Sequence, residues 1–159
     1  MNKKTKVLIA YYSRTGENEA VAKVLQKELN CDIEQIIDTA DRSVMFWCAM
    51  AAFFRRTTKL HPIKKNPEDY NLVVICTPLW VGTLPPATRT YIIENKTKFK
   101  NVTVLSVCGK GKENKGAVPH FESLVGKKAI ASLLVTKTEV EKDGVKEILE
   151  PFIRDILAM

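Results

Sequence analysis

Residues 7–12 read Val-Leu-Ile-Ala-Tyr-Tyr, a short run of apolar and aromatic residues that favour strands. The run passes directly into Ser-Arg-Thr-Gly at residues 13–16, and a helical pattern occupies residues 20–29. In that pattern Val21, Val24 and Leu25 share one stripe, which marks the buried side of an amphipathic helix. An apolar strand followed at once by such a helix is typical of a parallel sheet covered by helices. This stretch therefore predicts an α/β fold.

Further apolar runs of the same kind occur along the chain, at residues 72–76, 102–107 and 129–135. A weaker run at residues 33–37 is interrupted by Glu34 and Gln35, which suits a strand near the sheet edge. Helical patterns lie between the runs, at residues 43–56, 86–94 and 145–157. The alternation predicts a doubly wound sheet of five strands, in a single domain that spans residues 1–159.

The helical pattern at residues 43–56 is apolar almost all round and contains Phe46, Trp47, Phe53 and Phe54. A helix that is apolar on every side is usually buried. An oligomer interface is the alternative interpretation. We predict a core helix.

Composition and charge exclude several classes of partner. The 159 residues carry a net charge of +7, and the basic excess is spread over both halves of the chain. An even spread argues against a nucleic-acid-binding arm and favours anionic small molecules or an acidic partner. No run approaches the roughly 20 apolar residues of a membrane span, so no membrane partner is expected. The four cysteines form no Cys-x-x-Cys pair, which predicts reduced thiols and a cytoplasmic location.

Several kinds of catalytic and metal site lack their motifs. The chain has no Walker motif, no complete dinucleotide fingerprint, no Gly-x-Ser-x-Gly elbow and no Cys-x5-Arg loop. His61 and His120 lack partners at the spacing that metal ligands need, and we interpret both as structural or surface residues. The sequence predicts no catalytic residue and no metal site.

Residues 13–16 form the first candidate binding loop, because they join the first strand to the first helix. Hydroxyls at Ser13 and Thr15 and the glycine at Gly16 allow backbone N–H groups to converge at a helix N-terminus, which suits a phosphate. The alternative is simple N-capping of the helix by Ser13 or Thr15.

A second candidate loop follows the third strand, where Leu79 and Trp80 stand between Pro78 and Gly82. An aromatic side chain exposed on such a loop would suit a planar aromatic ligand. The loop after the fourth strand contains Gly109 and Gly111, which permit a close approach of the backbone.

With these loops in view, the chain resembles the flavodoxin family. Residues 11–16 look like the FMN-phosphate loop of that family, and residues 77–83 look like its first flavin-ring loop. The resemblance covers residues 6–92 clearly and the remainder less clearly. It implies a flavodoxin-like three-layer sandwich with sheet order 2-1-3-4-5, and FMN at the switch point between strands 1 and 3.

The resemblance also implies which residues contact the cofactor. Residues 13–16 would hold the phosphate, residues 78–82 would pack on the ring with Trp80 stacking, and Cys108 and Gly109 would approach its edge. Glu17 and Asn18 stand where the family often has Asn and Thr, which puts a carboxylate near the phosphate. The implied contacts are Ser13, Arg14, Thr15, Gly16, Glu17, Asn18, Pro78, Leu79, Trp80, Val81, Gly82, Cys108, Gly109 and Lys110.

The expected function is that of an FMN-binding electron-transfer protein, in which the flavin carries the chemistry. Its partner would be a redox protein or a small-molecule electron acceptor, and the basic charge favours an acidic one. The alternatives are an NAD(P)H-dependent FMN or quinone reductase and a cofactor-free binding module of the same fold. The chain would be a monomer or a homodimer.

Overall fold

A parallel sheet of five strands organises the computed structural model, which describes residues 5–109, 116–141 and 144–159. The strands are β1 (Val7–Tyr11), β2 (Asp32–Gln35), β3 (Leu72–Pro78), β4 (Asn101–Cys108) and β5 (Ser132–Thr136). Their order across the sheet is β2-β1-β3-β4-β5, and every pairing is parallel. The predicted sheet order of 2-1-3-4-5 is confirmed.

Helices cover both faces of this sheet. They are α1 (Glu17–Leu29), α2 (Met45–Phe53), α3 (Pro86–Asn95), α4 (Ala117–Val125), α5 (Lys137–Glu141) and α6 (Val145–Leu157). Side chains of β1 alternate between two buried clusters, because successive residues of a strand point to opposite faces. Leu8 and Ala10 join the cluster that contains Tyr91 and Phe121, whereas Ile9 joins the cluster of α1 and α6. The predicted three-layer arrangement is therefore confirmed.

The structure corrects the prediction that residues 43–56 form a core helix. In α2 only Cys48 and Ala52 are buried. Phe46, Trp47 and Phe53 are 62%, 66% and 62% exposed. The prediction is wrong because α2 contacts the rest of the protein through a narrow face of small side chains. Apolar composition alone does not distinguish that arrangement from burial on all sides.

Two short helices are present that the sequence patterns do not predict. Helix α4 contains Pro119 in its first turn, where a proline is tolerated because that N–H would have no intrahelical partner. Helix α5 has five residues, too few to show a helical period.

A proline inside α6 gives a test of local stability. Pro151 is exposed, yet it removes one N–H donor from the middle of the helix. Replacement of Pro151 by Ala should raise the free energy of unfolding by about 2 kcal/mol, since an interior proline costs about 3 kcal/mol and the freer unfolded chain returns up to about 1 kcal/mol. Urea unfolding of both proteins measures the difference.

The matched control is Pro119→Ala, because Pro119 is also exposed but lies in a first turn. That variant should gain no hydrogen bond and should not be more stable than the parent. If Pro151→Ala is no more stable than Pro119→Ala, the missing N–H at position 151 does not destabilise α6 and the prediction is wrong.

Candidate functional site

The carboxyl ends of β1, β3 and β4 meet at one edge of the sheet and surround a cavity of about 480 Å³. The cavity lies at the ends of the neighbouring strands β1 and β3. The chain continues from β1 to β2 on one side of β1, whereas β3 pairs with β1 on its other side. The direction of the strand order reverses here, which makes this position the switch point of the sheet. Its volume is within the usual range for small-molecule sites. The lining residues are Arg14, Thr15, Glu17, Asn18, Met45, Ala49, Pro78, Leu79, Trp80, Val81, Val107, Cys108, Gly109 and Lys137.

One end of the cavity is polar and adjoins the N-terminus of α1. Gly16 is the N-cap residue and has a φ of +100°, a conformation that favours glycine. Its N–H donates to Ser13 Oγ over 3.0 Å, so the Ser13 hydroxyl closes the loop. No side chain caps the helix at Gly16, and the simple N-capping interpretation is therefore wrong. First-turn N–H groups without a side-chain cap suit an anion.

Glu17 lies in this polar end and is held by two neighbours. Its carboxylate accepts a hydrogen bond from the Thr15 hydroxyl and pairs with Lys137 Nζ at 2.7 Å. Burial opposes ionisation of Glu17, but the hydrogen bonds from Lys137 and Thr15 outweigh it and lower the pKa to about 2. Glu17 is therefore charged at neutral pH, and it engages the hydroxyl and the ammonium group that could otherwise bind an anion.

Arg14 lines the cavity, but its guanidinium also binds backbone carbonyls. Nε donates to the carbonyl oxygen of Arg42 at 2.7 Å, and Nη2 donates to that of Ser43 at 3.2 Å. These two carbonyls belong to the segment that leads into α2. Arg14 thus fixes the start of α2 near the cavity. Contact of Arg14 with a phosphate stays a prediction.

The apolar end of the cavity contains a tight turn after β3. Backbone hydrogen bonds join Trp80 and Thr83 in both directions, at 2.9 and 3.1 Å. Between them, Val81 has a φ of +51° and Gly82 a φ of +71°, as a type I′ turn requires. A β-branched residue with positive φ is a rare outlier. Val81 is 61% exposed and lines the cavity, so strain is concentrated at the site.

The structure corrects the prediction that Trp80 is exposed on an open loop. Trp80 is only 8% exposed and belongs to a buried cluster, where its ring packs edge-on against Tyr12 at 5.8 Å between centroids. It is buried because the tight turn directs its side chain back toward the sheet. Trp80 still contributes to the cavity wall, but Val81 has the exposed side chain of the turn.

Most of the predicted site residues meet at this cavity. Those that line it are Arg14, Thr15, Glu17, Asn18, Pro78, Leu79, Trp80, Val81, Cys108 and Gly109. Ser13, Gly16 and Gly82 are not in the wall, because they shape the two loops instead. Lys110 lies outside the described residues. Contact of each residue with a cofactor stays a prediction.

The sequence patterns miss four residues of the wall: Met45, Ala49, Val107 and Lys137. Lys137 follows directly after β5, and the ends of parallel strands meet at one edge, so its position could have been inferred from the sequence. Met45 and Ala49 give no such signal because the placement of α2 depends on tertiary contacts. Among the residues that the structure describes, no three metal-binding side chains cluster.

Comparisons with known proteins support this architecture. No known family model matches the sequence, and no curated protein matches it. The structure is similar to a flavoprotein from Lactobacillus acidophilus NCFM in complex with FMN, with 18% identity over 86% of this chain and 97% of that chain and a TM-score of 0.73. It is similar to a protein from Bacteroides eggerthii DSM 20697, with 20% identity over 98% and 99% of the two chains and a TM-score of 0.77.

A third similar structure is oxidised flavodoxin 2 from Bacillus cereus, with 18% identity over 94% of this chain and 96% of that chain and a TM-score of 0.62. These similarities, together with the observed sheet order, show that the chain has the flavodoxin-like fold. The fold predicted from the two loops is confirmed.

The strain at Val81 predicts the effect of one substitution. Val81→Asn should raise the free energy of unfolding by about 1 kcal/mol, because Asn tolerates positive φ and Val81 buries little surface. Gly82→Ala at the next position should lower it by about 1 kcal/mol, because it introduces the same kind of strain. Urea unfolding of both variants checks the opposite signs, and a loss of stability in Val81→Asn would contradict the strained turn.

The low pKa of Glu17 predicts a dependence of stability on pH. A carboxylate whose folded pKa lies below its ordinary value of 4.5 stabilises the fold above that value, and the contribution is lost as the pH falls toward about 2. Glu17→Gln should therefore be less stable than the parent near neutral pH, with the difference shrinking in acid. Urea unfolding across that range measures the difference, and Lys137→Gln should reduce the pH-dependent part. A difference that is constant with pH would contradict the low pKa.

Proposed function

We propose that the chain binds FMN in the cavity and functions as an electron-transfer flavoprotein. The observation that carries the proposal is the position of the cavity at the switch point, with a polar end at α1 and an apolar end formed by the turn after β3 and by α2. The similar Lactobacillus acidophilus flavoprotein is in complex with FMN, which supports the same ligand here.

The polar end offers donors for a phosphate group. The uncapped first turn of α1 presents N–H groups, and Thr15 and Lys137 stand beside it. In the structure Glu17 holds both side chains, so that the carboxylate and the ammonium neutralise each other. When a phosphate binds, Thr15 and Lys137 would exchange part of their bonding to Glu17 for bonding to phosphate oxygens. The carboxylate then limits the affinity, since two negative groups share one cluster.

The apolar end offers a surface for a flat ring. Met45 and Ala49 come from α2, and Leu79 and Val81 come from the turn after β3. Apolar side chains from separate elements exclude water from a bound ring and fix its orientation. FMN supplies the redox chemistry when bound, and the protein around it sets the affinity and the potential.

The ionisable groups of the cavity wall favour an electron carrier over an acid–base enzyme. Within the described wall these are Arg14, Glu17, Cys108 and Lys137. With a pKa of about 2, Glu17 is a poor general base near neutral pH. Its hydrogen bond raises the pKa of Lys137, which makes Lys137 a poor proton donor. The proposed partner is a redox protein or a small-molecule acceptor, and the net charge of +7 favours an acidic one.

A cytoplasmic location is part of this proposal. Cys48 and Cys76 are buried and form no disulfide, as a reducing compartment would keep them.

FMN titration of the apoprotein tests the proposal directly. We expect quenching of flavin fluorescence at a stoichiometry of one and a higher thermal midpoint in excess FMN, because a ligand that binds the folded state stabilises it. An absence of both effects would show that FMN is not the ligand. Addition of NAD(P)H to the loaded protein with an electron acceptor present should give no rapid oxidation, whereas rapid turnover would identify a reductase.

The charges at the polar end predict opposite effects of two variants on FMN affinity. Glu17→Gln removes the competing carboxylate and should tighten FMN binding about tenfold, which corresponds to about 1.4 kcal/mol. Lys137→Gln should weaken FMN binding by a similar factor. Fluorescence titration gives both dissociation constants.

Two controls assign these effects to the phosphate. Riboflavin lacks the phosphate, so its affinity should be nearly the same in both variants and in the parent. Glu122→Gln removes a carboxylate of a distant pair, in which Lys128 Nζ lies 2.8 Å from Glu122, and should leave FMN affinity unchanged. Equal effects of Glu17→Gln on riboflavin and FMN would show that the phosphate does not lie at this end.

A further inference from the structure

Helix α2 and its C-terminal end carry an apolar surface that we call the aromatic face, which consists of the exposed Phe46, Trp47, Phe53 and Phe54 and the half-buried Met50. The spacing of these residues, at i, i+1, i+4, i+7 and i+8, places them on one side of the helix. The four aromatic side chains are between 59% and 66% exposed. They pair edge-on, Phe46 with Trp47 and Phe53 with Phe54. A patch of this kind marks an interaction surface.

The charged residues of the chain segment that contains the aromatic face have a single sign. Arg55, Arg56 and Lys59 follow it directly, and residues 42–65 contain no Asp or Glu. Arg55 and Arg56 are exposed and have no ion-pair partner in the described part of the chain. Arg42 differs, because Asp38 pairs with it at 2.7 Å. The cations beside the face are thus available to an external anionic partner.

We propose that the aromatic face docks on an anionic lipid surface. Helices that bind in the plane of a membrane combine Trp and Phe side chains with adjacent Lys and Arg residues. The rings enter the boundary between headgroups and acyl chains, and the cations contact acidic headgroups. Helix α2 has nine residues, and none of the described helices is long and apolar enough to cross a membrane, so the helix lies along the surface. The prediction of no membrane partner rests on the lack of an apolar run long enough to span a membrane, and that lack does not bear on docking at the membrane surface.

A second copy of the chain fits the same face less well. The four rings offer roughly 500 Å², since a fully buried aromatic side chain covers about 150–250 Å². A standard stable interface buries about 800 Å² on each partner. A two-fold dimer through this face would also bring Arg55, Arg56 and Lys59 close to the same residues of the other copy, with no carboxylate from residues 42–65 between them. Acidic headgroups remove that repulsion.

Docking would also orient the cavity. Met45 is 54% exposed and lines the cavity, and it stands next to Phe46 of the aromatic face. The cavity would therefore lie close to the lipid surface, on another side of α2 from the docked rings. Docking itself does not depend on FMN binding, and its failure would leave the proposed function untouched.

Vesicle flotation tests the proposal, with vesicles of phosphatidylcholine alone and of phosphatidylcholine with phosphatidylglycerol. We expect the protein to float with the anionic vesicles, and at least tenfold less with the neutral ones. The triple variant Phe46→Ser, Trp47→Ser, Phe53→Ser should lose at least tenfold in partitioning. Its control, Ile130→Ser with Leu157→Ser, removes apolar side chains that are exposed elsewhere and should float like the parent.

Charge variants test the electrostatic part. Arg55→Gln with Arg56→Gln should reduce partitioning into anionic vesicles severalfold and should weaken its dependence on salt. Lys27→Gln with Lys100→Gln removes the same charge from exposed positions outside residues 42–65 and should have a smaller effect. Equal effects of the two pairs would show that net charge alone attracts the protein, which would overturn a specific docking face.

Tryptophan emission locates the contact. Trp47 is exposed and Trp80 is buried, so vesicles should shift the emission of Trp47 to shorter wavelength and brominated lipids should quench it. Trp47→Phe should still float but should lose the shift. Light scattering of the protein without vesicles tests whether a second copy of the chain covers the aromatic face instead. A stable dimer that the triple variant abolishes, or a monomer that floats with neither kind of vesicle, would overturn the proposal.

Discussion

The parallel pairing of β1 with β3 determines where every part of the cavity lies. Tyr11 stands opposite Cys76 in this register, and the N–H of Tyr12 donates to the Cys76 carbonyl at 2.9 Å. The two loops therefore leave the sheet at the same edge and at the same level. The register is strongly specified because β1 is buried on both faces, and a slip by one residue would exchange the side chains of its two buried clusters.

This dependence explains which features could be predicted from the sequence. Strands β1 and β3 are apolar on both faces, and so runs such as residues 7–12 and 72–76 predict a parallel sheet covered by helices. The strand order and the position of the cavity follow from the resemblance of the two loops to the flavodoxin family. The position of α2 and the burial of Trp80 cannot be predicted from the sequence pattern. Hydropathy describes the preference of a side chain for burial, but it does not show whether the tertiary structure buries that side chain. Phe46 and Trp80 show both errors, the first exposed where burial is predicted and the second buried where exposure is predicted.

The charges at the polar end of the cavity neutralise one another, so this end is not a preformed anion-binding site. Glu17 occupies the first turn of α1, where a carboxylate is favourable because it meets the positive end of the helix. In the absence of a ligand, this carboxylate compensates Lys137 and the helix N-terminus together. A phosphate ligand would have to compete with that internal anion, which stabilises the ligand-free fold and would weaken phosphate binding.

Arg14 connects the polar end of the cavity with α2. Its guanidinium holds the carbonyl groups of Arg42 and Ser43, and helix α2 begins two residues after Ser43. One face of α2 then lines the cavity through Met45 and Ala49, while the aromatic face points outward. Since a side chain that binds two backbone carbonyls is strongly restrained, the loop after β1 sets the position of the helix as well as that of the polar end of the cavity. The lining of the cavity and the exposure of the aromatic face thus have one structural cause, and neither can be read from the apolar pattern of residues 43–56 alone.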